Sequence, residues 1–139
     1  MTESRTLHRT GLALRLLTAV ALGVDAYVHA NLASRFDGSG GTISQGTLFR
    51  LQAIAAGLTG LFVLVSGRRL AAALALLVAA SAFAAVMVTR YVDIGALGPF
   101  PDLYDPAWYT EKTISAIAEG VAVVSSAILL FVVRAKRSR

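Results

Sequence analysis

Long apolar runs separated by short polar links dominate this chain. A helix needs about 20 mostly apolar residues to cross a bilayer, and four runs reach or approach that length. We predict membrane spans at about 11–33, 47–66, 70–92 and 113–133. The pattern therefore predicts an all-α fold in which residues 1–139 form one membrane domain, an antiparallel transmembrane four-helix bundle.

The first two links between the spans differ in length and composition. Only residues 67–69 join the second span to the third, which predicts a tight helical hairpin. Residues 34–46 are rich in Gly and Ser and predict a flexible loop. Within them, Thr42-x-x-Gln45 resembles a capping box, so we expect the second helix to begin before the bilayer core.

The third link, residues 93–112, is longer and contains all three prolines of the chain. Asp105-Pro106 has the order typical of a helix start, with an N-cap residue followed by proline. We therefore expect the fourth helix to begin there, with Trp108 and Tyr109 in the aromatic belt of the membrane interface.

Composition excludes several classes of protein. Hydrophobic residues make up 56% of the chain and charged residues 15%, an apolar excess too large for a soluble domain of this size. With no cysteine, the chain has no disulfide, thiolate metal site or thiol nucleophile. It has no phosphate-binding loop and no HExxH motif, so we assign no catalytic residue and favour a role other than enzyme.

The net charge of +5 is divided unequally between the two sides of the predicted bundle. The terminal and 67–69 segments carry most of the basic residues, with Glu3 as their only acid. The positive-inside rule then places both termini in the cytoplasm and the loops 34–46 and 93–112 outside, in a cell (plasma) membrane. Short basic tails beside spans touch anionic lipid, so we predict the lipid bilayer and no nucleic acid as a partner.

An alternative interpretation of residues 1–30 is a cleaved signal peptide. They have a basic start, an apolar core and the small-residue pattern Val28-x-Ala30. Arg15 and Asp25 interrupt that core, and the apolar run is longer than a signal peptide requires. We therefore favour a membrane span.

Ionisable residues inside the predicted spans are the strongest functional signal, because each costs about 2.5–3.5 kcal/mol to insert. Five of them fall in the outer half of the bilayer, and we predict that they form a ligand-binding or polar cluster. They are Asp25, His29, Arg50, Arg90 and Glu119. Arg15 falls in the inner half and can extend to the cytoplasmic surface.

Helical spacing gives two of the predicted spans an inward polar stripe. In the first span, Thr18, Leu22, Asp25 and His29 share a face. In the fourth span, the residues on one face are Ser115, Glu119, Ala122 and Ser126. Small-xxx-small pairs such as Ala56-xxx-Gly60 permit close helix packing, and we favour packing within the bundle over dimerisation.

Three interpretations of the cluster stay open. The acids pair with the arginines and orient the helices, or the cluster forms a pocket under loop 93–111, or it binds a partner subunit. A pocket would bind a polar head group, a quinone or a lipid, or would relay protons. Carboxylate and imidazole groups also suit Zn, Mn or Fe, but a single helical histidine is more often a packed residue. We therefore assign no metal and no resident cofactor, with quinone or lipid as the alternatives.

Several short motifs carry a resemblance to a known group of membrane proteins. They are Asp25-Ala-Tyr-Val-His29, Gly46-Thr-Leu-Phe-Arg-Leu-Gln52, the Arg68-Arg69 hairpin, Arg90-Tyr91 and Glu119. Together they resemble a family of small four-span membrane proteins common in actinobacteria and, more loosely, the DoxX-type four-helix proteins. The resemblance implies a link to quinone-associated or redox membrane assemblies, although the lack of cysteine argues against thiol chemistry.

These observations lead to three hypotheses on function. The first is an accessory subunit or a binder of a lipid-like ligand, and the second is a quinone-linked redox protein. The third is a small transporter, which would need to form an oligomer because four spans are few. A membrane partner subunit or a homo-oligomer is the protein partner that these hypotheses imply.

Overall fold

The chain is all-helical in a computed structural model that describes residues 2–137, and side chains within residues 5–133. In that part of the chain we find four long α-helices and no strand, and a 3-10 turn at Ser34–Phe36. The helices are α1 (Thr2–Ala33), α2 (Gln45–Val65), α3 (Arg69–Tyr91) and α4 (Thr110–Arg137). Each is long and apolar enough to cross a membrane, so the prediction of four helices of membrane-spanning length and composition is confirmed.

The start of α2 is capped by a different residue from the predicted one. Ser44 is the N-cap, and its side chain accepts a hydrogen bond of 3.1 Å from the backbone N–H of Thr47. The backbone N–H of Gln45 donates to Ser39 Oγ at 2.8 Å. The predicted capping box at Thr42 is therefore wrong, because Ser44 lies in extended backbone directly before the helix and its hydroxyl reaches the free N–H of the first turn.

The start of α4 also differs from the prediction. The helix begins at Thr110 rather than at Asp105-Pro106. Asp105 instead ties the loop to α3, because its backbone N–H donates to the carbonyl oxygen of Thr89 at 2.8 Å. Its carboxylate accepts a long hydrogen bond of 3.4 Å from the N–H of Ala107, which closes a local turn.

The helices pack in the cyclic order α1, α2, α3, α4. The contacts of α1 with α2 and α4 are the most extensive, and α1 barely touches α3. Arg15, in the first half of α1, donates hydrogen bonds of 3.1 and 2.6 Å to the carbonyl oxygens of Val63 and Leu64 at the end of α2. Its guanidinium therefore satisfies carbonyl groups that the helix leaves free.

Small residues fill the inside of the bundle, and large apolar residues lie outside. The buried set on α3 consists only of alanines, namely Ala71, Ala72, Ala75, Ala79 and Ala82. By contrast, Leu58 and Phe131 are 64% and 71% exposed. This distribution suits hydrocarbon as the surrounding solvent, because helices there associate by close approach of small residues.

Gly60 shows that the small residues of α2 pack within the bundle, against α1. A Cβ at Gly60 would lie 3.4 Å from Leu22 Cβ and 3.4 Å from the carbonyl oxygen of Ala19. The Ala56-xxx-Gly60 pair therefore serves packing inside the chain, as predicted.

The two loops at one end of the bundle contact each other. The backbone N–H of Ile43 donates to the carbonyl oxygen of Pro99 at 2.9 Å.

Gly46, at the start of α2, lies so close to the residues before it that a Cβ would be 2.4 Å from both the carbonyl oxygen of Ala33 and Asp37 Oδ1. We call this end of the bundle, where residues 34–44 and 92–109 lie, the loop end, and the end with residues 66–68 the hairpin end.

Candidate functional site

A polar cluster lies between α1, α2 and α4 in the half of the bundle nearer the loop end. Helix α1 contributes Asp25 and His29, α4 contributes Ser115 and Glu119, and α2 contributes Gln52. Asp25 and Glu119 have no exposed surface, while Ser115 and His29 are 3% and 8% exposed. The spacing of i and i+4 on α1 and on α4 places each pair on one inward face, as the sequence predicts.

The carboxylate of Asp25 is the centre of the hydrogen-bond network. Gln52 Nε2 donates to Asp25 Oδ2 at 2.8 Å, and Ser115 Oγ lies 3.0 Å from Asp25 Oδ1. His29 Nδ1 lies 2.9 Å from Asp25 Oδ1 and 3.1 Å from the backbone carbonyl oxygen of the same residue. Three helices are thus joined at one carboxylate.

Glu119 is less well satisfied than Asp25. Its Oε1 lies 2.9 Å from Ser115 Oγ, but that hydroxyl has one hydrogen to share between the two carboxylates. Its Oε2 is buried without a hydrogen-bond partner. A buried carboxylate oxygen with no donor is costly, so the network can accept a further proton, cation or donor at this point.

The structure does not bring Arg50 into this cluster. Its guanidinium forms a two-pronged ion pair with Asp37 on the surface, with Nη1 to Oδ1 at 2.6 Å and Nη2 to Oδ2 at 2.8 Å. Both side chains are about half exposed. The hydrogen bonds from Arg50 hold the pKa of Asp37 below its ordinary value.

Arg90 also lies apart from the two buried acids. Its guanidinium carbon is 4.8 Å from the centre of the Tyr91 ring and 5.7 Å from that of Trp108, so it makes cation–π contacts. Its Nε is buried and unpartnered. Among the side chains of residues 5–133, no arginine forms an ion pair with Asp25 or Glu119. Of the three interpretations left open by the sequence, the structure thus contradicts the one in which the acids pair with the arginines. Each arginine lies at the end of its helix, where it reaches a nearer partner.

A cavity of about 300 Å³ lies next to the cluster, beneath the loop end. Its walls combine polar and apolar side chains from α1, α2, α3, α4 and the loop before α4. The polar lining residues are His29, Gln45, Gln52, Ser81, Thr89, Asp105, Tyr109, Lys112 and Ser115. The apolar ones are Leu32, Leu48, Phe49, Ala82, Ala85, Val86 and Leu103. Of the five residues predicted to form a cluster, His29 is the one that lines this cavity.

Lys112, Asp105 and Tyr109 form a second polar group in the wall of the cavity. Lys112 is 6% exposed, and its ammonium donates to the backbone carbonyl oxygen of Asp105 and lies 3.3 Å from Asp105 Oδ2. Burial and the neighbouring Asp105 carboxylate raise the pKa of Tyr109 to about 12, so its hydroxyl stays a hydrogen-bond donor at neutral pH.

Sequence reasoning missed four of these residues as site residues. Gln52 was visible as an amide inside an apolar span, and Ser115 as the residue one turn before Glu119. Lys112 and Tyr109 carried no signal, because a lysine and a tyrosine before a span normally face the interface. In the structure Lys112 lies in the first turn of α4 and Tyr109 directly before that helix, and both line the cavity.

A larger concavity of about 770 Å³ lies elsewhere on the bundle surface and differs in character. Its lining includes Leu17, Phe83, Ile117 and Val124 and has very few polar atoms. On a surface that faces hydrocarbon, such a groove selects no particular head group. The smaller cavity is therefore the candidate functional site, because its polar groups converge.

We compared the chain with protein-family models, with curated proteins and with solved structures, and found no match to any of them. The resemblance to small four-span and DoxX-type proteins therefore stays a prediction.

Proposed function

We propose that the chain is a multi-pass protein of the plasma membrane, with antiparallel helices and both termini in the cytoplasm. The charge distribution supports this orientation. The hairpin end carries Arg68 and Arg69, while the loop end carries acids such as Asp37, Asp93 and Asp102. Positive residues remain preferentially in the cytoplasm during insertion.

Single introduced cysteines test this orientation cleanly, because the chain has none of its own. A Cβ at Gly38 would meet no atom within 4 Å, and one at Gly67 would meet only the end of the Arg15 side chain at 3.6 Å. We expect a membrane-impermeant maleimide to label Gly38→Cys in intact cells and Gly67→Cys only after permeabilisation. The opposite pattern would invert the proposed orientation.

We propose further that the protein binds a small amphipathic ligand, whose head group occupies the cavity next to Asp25 and His29. The observation that carries this proposal is the cavity itself, with polar groups converging from all four helices. Its volume of about 300 Å³ fits a head group rather than a whole lipid. A tail would extend along the apolar surface of the bundle.

The charges around the cavity favour a head group that donates hydrogen bonds. The positive lining residue Lys112 is already paired with Asp105, so it is not free to bind an anionic head group. The carboxyl groups of Asp25 and Glu119 do not line the cavity, but they contact the lining residues His29, Gln52 and Ser115. Hydroxyl or amine groups of a ligand would find acceptor atoms among the polar side chains of the lining.

A matched pair of alanine substitutions on α3 tests the proposal. Ala84 and Ala85 are neighbouring exposed residues of the same helix, and of the two Ala85 is the one that lines the cavity. Ala85→Leu fills the cavity, while Ala84→Leu adds the same volume to the lipid-facing surface. The tagged proteins are purified in mild detergent, and bound small molecules are extracted and identified by mass spectrometry.

We expect a compound enriched over bulk membrane lipid in the wild-type protein and in Ala84→Leu, and reduced at least fivefold in Ala85→Leu. Equal amounts in all three proteins would overturn the proposal. A quinone as the enriched compound would support the redox alternative. A co-purified membrane protein, with no enriched small molecule, would support the accessory-subunit alternative instead.

A further inference from the structure

Three side chains that commonly bind metals meet in the buried part of the polar cluster. Asp25, His29 and Glu119 each offer one ligand atom, and these atoms lie within 4.8 Å of one another. We infer that they form a binding site for one divalent transition-metal cation. This goes beyond the proposed ligand cavity, because neither acid lines that cavity.

The distances inside the cluster suit a metal centre. His29 Nδ1 lies 2.9 Å from Asp25 Oδ1, and Ser115 Oγ lies 3.0 Å from Asp25 Oδ1 and 2.9 Å from Glu119 Oε1. Metal bonds of about 2.1 Å to nitrogen and oxygen place ligands at right angles about 3 Å apart. The donor atoms of His29 and Asp25 therefore already have the spacing of adjacent ligands around one ion. Ser115 holds the Glu119 carboxylate next to that of Asp25, and all three ligand atoms lie within 4.8 Å of one another.

Glu119 supplies an independent reason to expect a cation. The residue has no exposed surface, and its Oε2 has no hydrogen-bond partner. Neither Glu119 nor Asp25 forms an ion pair with a lysine or arginine among the side chains of residues 5–133. His29 is the one basic side chain beside Asp25 in this part of the structure, and a single imidazole cannot balance two buried carboxylates. Uncompensated negative charge is strongly unfavourable in a membrane, and a divalent cation would neutralise both acids.

The donor set indicates the class of metal. One imidazole and two carboxylates suit Zn²⁺, Mn²⁺ or Fe²⁺, whereas Ca²⁺ and Mg²⁺ prefer oxygen ligands alone. Gln52 donates a hydrogen bond of 2.8 Å to Asp25 Oδ2 and so orients the carboxylate. Carboxylates that bind metals usually have such an orienting hydrogen bond. Three protein ligands leave a further position for Ser115, water or a ligand.

Metal content is the direct test. Protein without a histidine tag is placed in lipid nanodiscs, incubated with Zn²⁺ or Mn²⁺, freed of excess metal and analysed by mass spectrometry for metal per chain. Competition with a chelator gives the affinity. Glu119→Gln and His29→Ala each remove a ligand, and His8→Ala, at the exposed second histidine of the chain, is the matched control.

We expect about one ion per chain in the wild type and in His8→Ala, and at least tenfold weaker binding in Glu119→Gln and His29→Ala. Circular dichroism shows whether each variant is folded. Should His29→Ala not fold, the nearly isosteric Glu119→Gln decides. No retained metal in the wild type, or equal retention in Glu119→Gln, would overturn the inference and leave a shared proton as the neutralising group.

The cavity-filling variant separates this inference from the proposed function. Ala85→Leu changes the cavity and none of the three metal ligands, so we expect it to keep its metal while it loses the amphipathic ligand. That result would support both sites as separate. Wild-type protein that binds metal but enriches no compound would support the metal site alone. Wild-type protein that enriches a compound lost in Ala85→Leu, but retains no metal, would support the ligand cavity alone.

Discussion

The interface between α1 and α4 has two polar regions, and they are built differently. In the region nearer the loop end, Asp25 and Glu119 are buried ionisable groups. In the region nearer the hairpin end, Thr18 and Ser125 are buried neutral groups whose hydroxyl oxygens lie 2.7 Å apart. Along α1, the fully buried Leu22 separates Thr18 of the neutral region from Asp25 of the ionisable region.

In the neutral region, the buried hydroxyl groups find their hydrogen-bond partners within the protein. The hydroxyl of Ser126 donates to the carbonyl oxygen of Ala122 one turn earlier, and Ser125 is also within reach of that carbonyl. In the ionisable region, by contrast, the buried Oε2 atom of Glu119 has no hydrogen-bond partner. Hydroxyls can satisfy one another and the backbone, whereas carboxylates need a cation or a proton. We therefore expect function in the ionisable region and helix association in the neutral one.

The largest expected effect comes from Asp25→Ala. The substitution leaves Gln52, Ser115 and His29 without their common acceptor, and we expect a loss of about 3 kcal/mol in the free energy of unfolding. Unfolding by sodium dodecyl sulfate in mixed micelles, followed by circular dichroism, measures it. Asp37→Ala, which removes an exposed aspartate, is the control. Equal effects of the two substitutions would remove the distinction between buried and exposed carboxylates.

A smaller effect of opposite sign is expected for Glu119→Gln in metal-free protein. Glutamine keeps an acceptor for Ser115 and removes a buried carboxylate that lacks a positive partner. We expect the same unfolding measurement to show a gain of about 1 kcal/mol. A clear loss of stability would mean that the carboxylate is satisfied in metal-free protein.

Thr18→Val tests the neutral region and should have a still smaller effect. Valine keeps the shape of threonine and removes the hydrogen bond to Ser125. Hydrogen bonds between membrane helices contribute about 0.6 kcal/mol on average, and we expect a loss of that size. A double-mutant cycle with Ser125→Ala isolates the pair. A coupling energy between Thr18 and Ser125 as large as the loss of stability in Asp25→Ala would show that the neutral region stabilises the fold as much as the ionisable region does.

The smallest effect on stability is expected at the exposed pair of Arg50 and Asp37. Hydrogen bonds from Arg50 lower the pKa of Asp37, so the pair stabilises the fold at neutral pH and loses its contribution as the pH falls through the lowered pKa. We expect no measurable change in unfolding with Arg50→Gln, because both groups are exposed to solvent.

The pKa itself should still respond to that substitution. Titration of the Asp37 carboxyl by nuclear magnetic resonance in micelles should give a higher value in Arg50→Gln than in the wild type. An unchanged pKa would show that the ion pair does not persist in solution.

The fold could be predicted from the sequence in most respects, since apolar runs of membrane-spanning length determine the helices directly. The errors lie where a helix begins. Local motifs predict helix starts at Thr42 and at Asp105, whereas Ser44 caps α2 and α4 begins at Thr110. The actual starts depend on which donors and carbonyls the neighbouring loop and helix present.

The candidate site could be predicted only in part. Helical spacing was enough to place Asp25, His29 and Glu119 on inward faces. The predicted spans place Arg50 and Arg90 at a similar depth in the bilayer, which predicts a common cluster, but position along a helix contains no information on distance across the bundle. Arg50 reaches Asp37 and Arg90 reaches aromatic rings, since those partners are closer to the ends of their helices.

The amino-acid sequence alone is enough to predict an all-helical chain with four helices fit to span a membrane, and to place two acids and a histidine on inward faces. Helical period and hydropathy are properties of the chain itself, and a bilayer admits helices of that length and polarity. The packing of the helices is needed to show that the three side chains meet within 4.8 Å, that among residues 5–133 no arginine pairs with the two acids, and that Gln52 donates to Asp25. Those facts depend on how four helices and one loop pack together, and that packing cannot be deduced from any single helix.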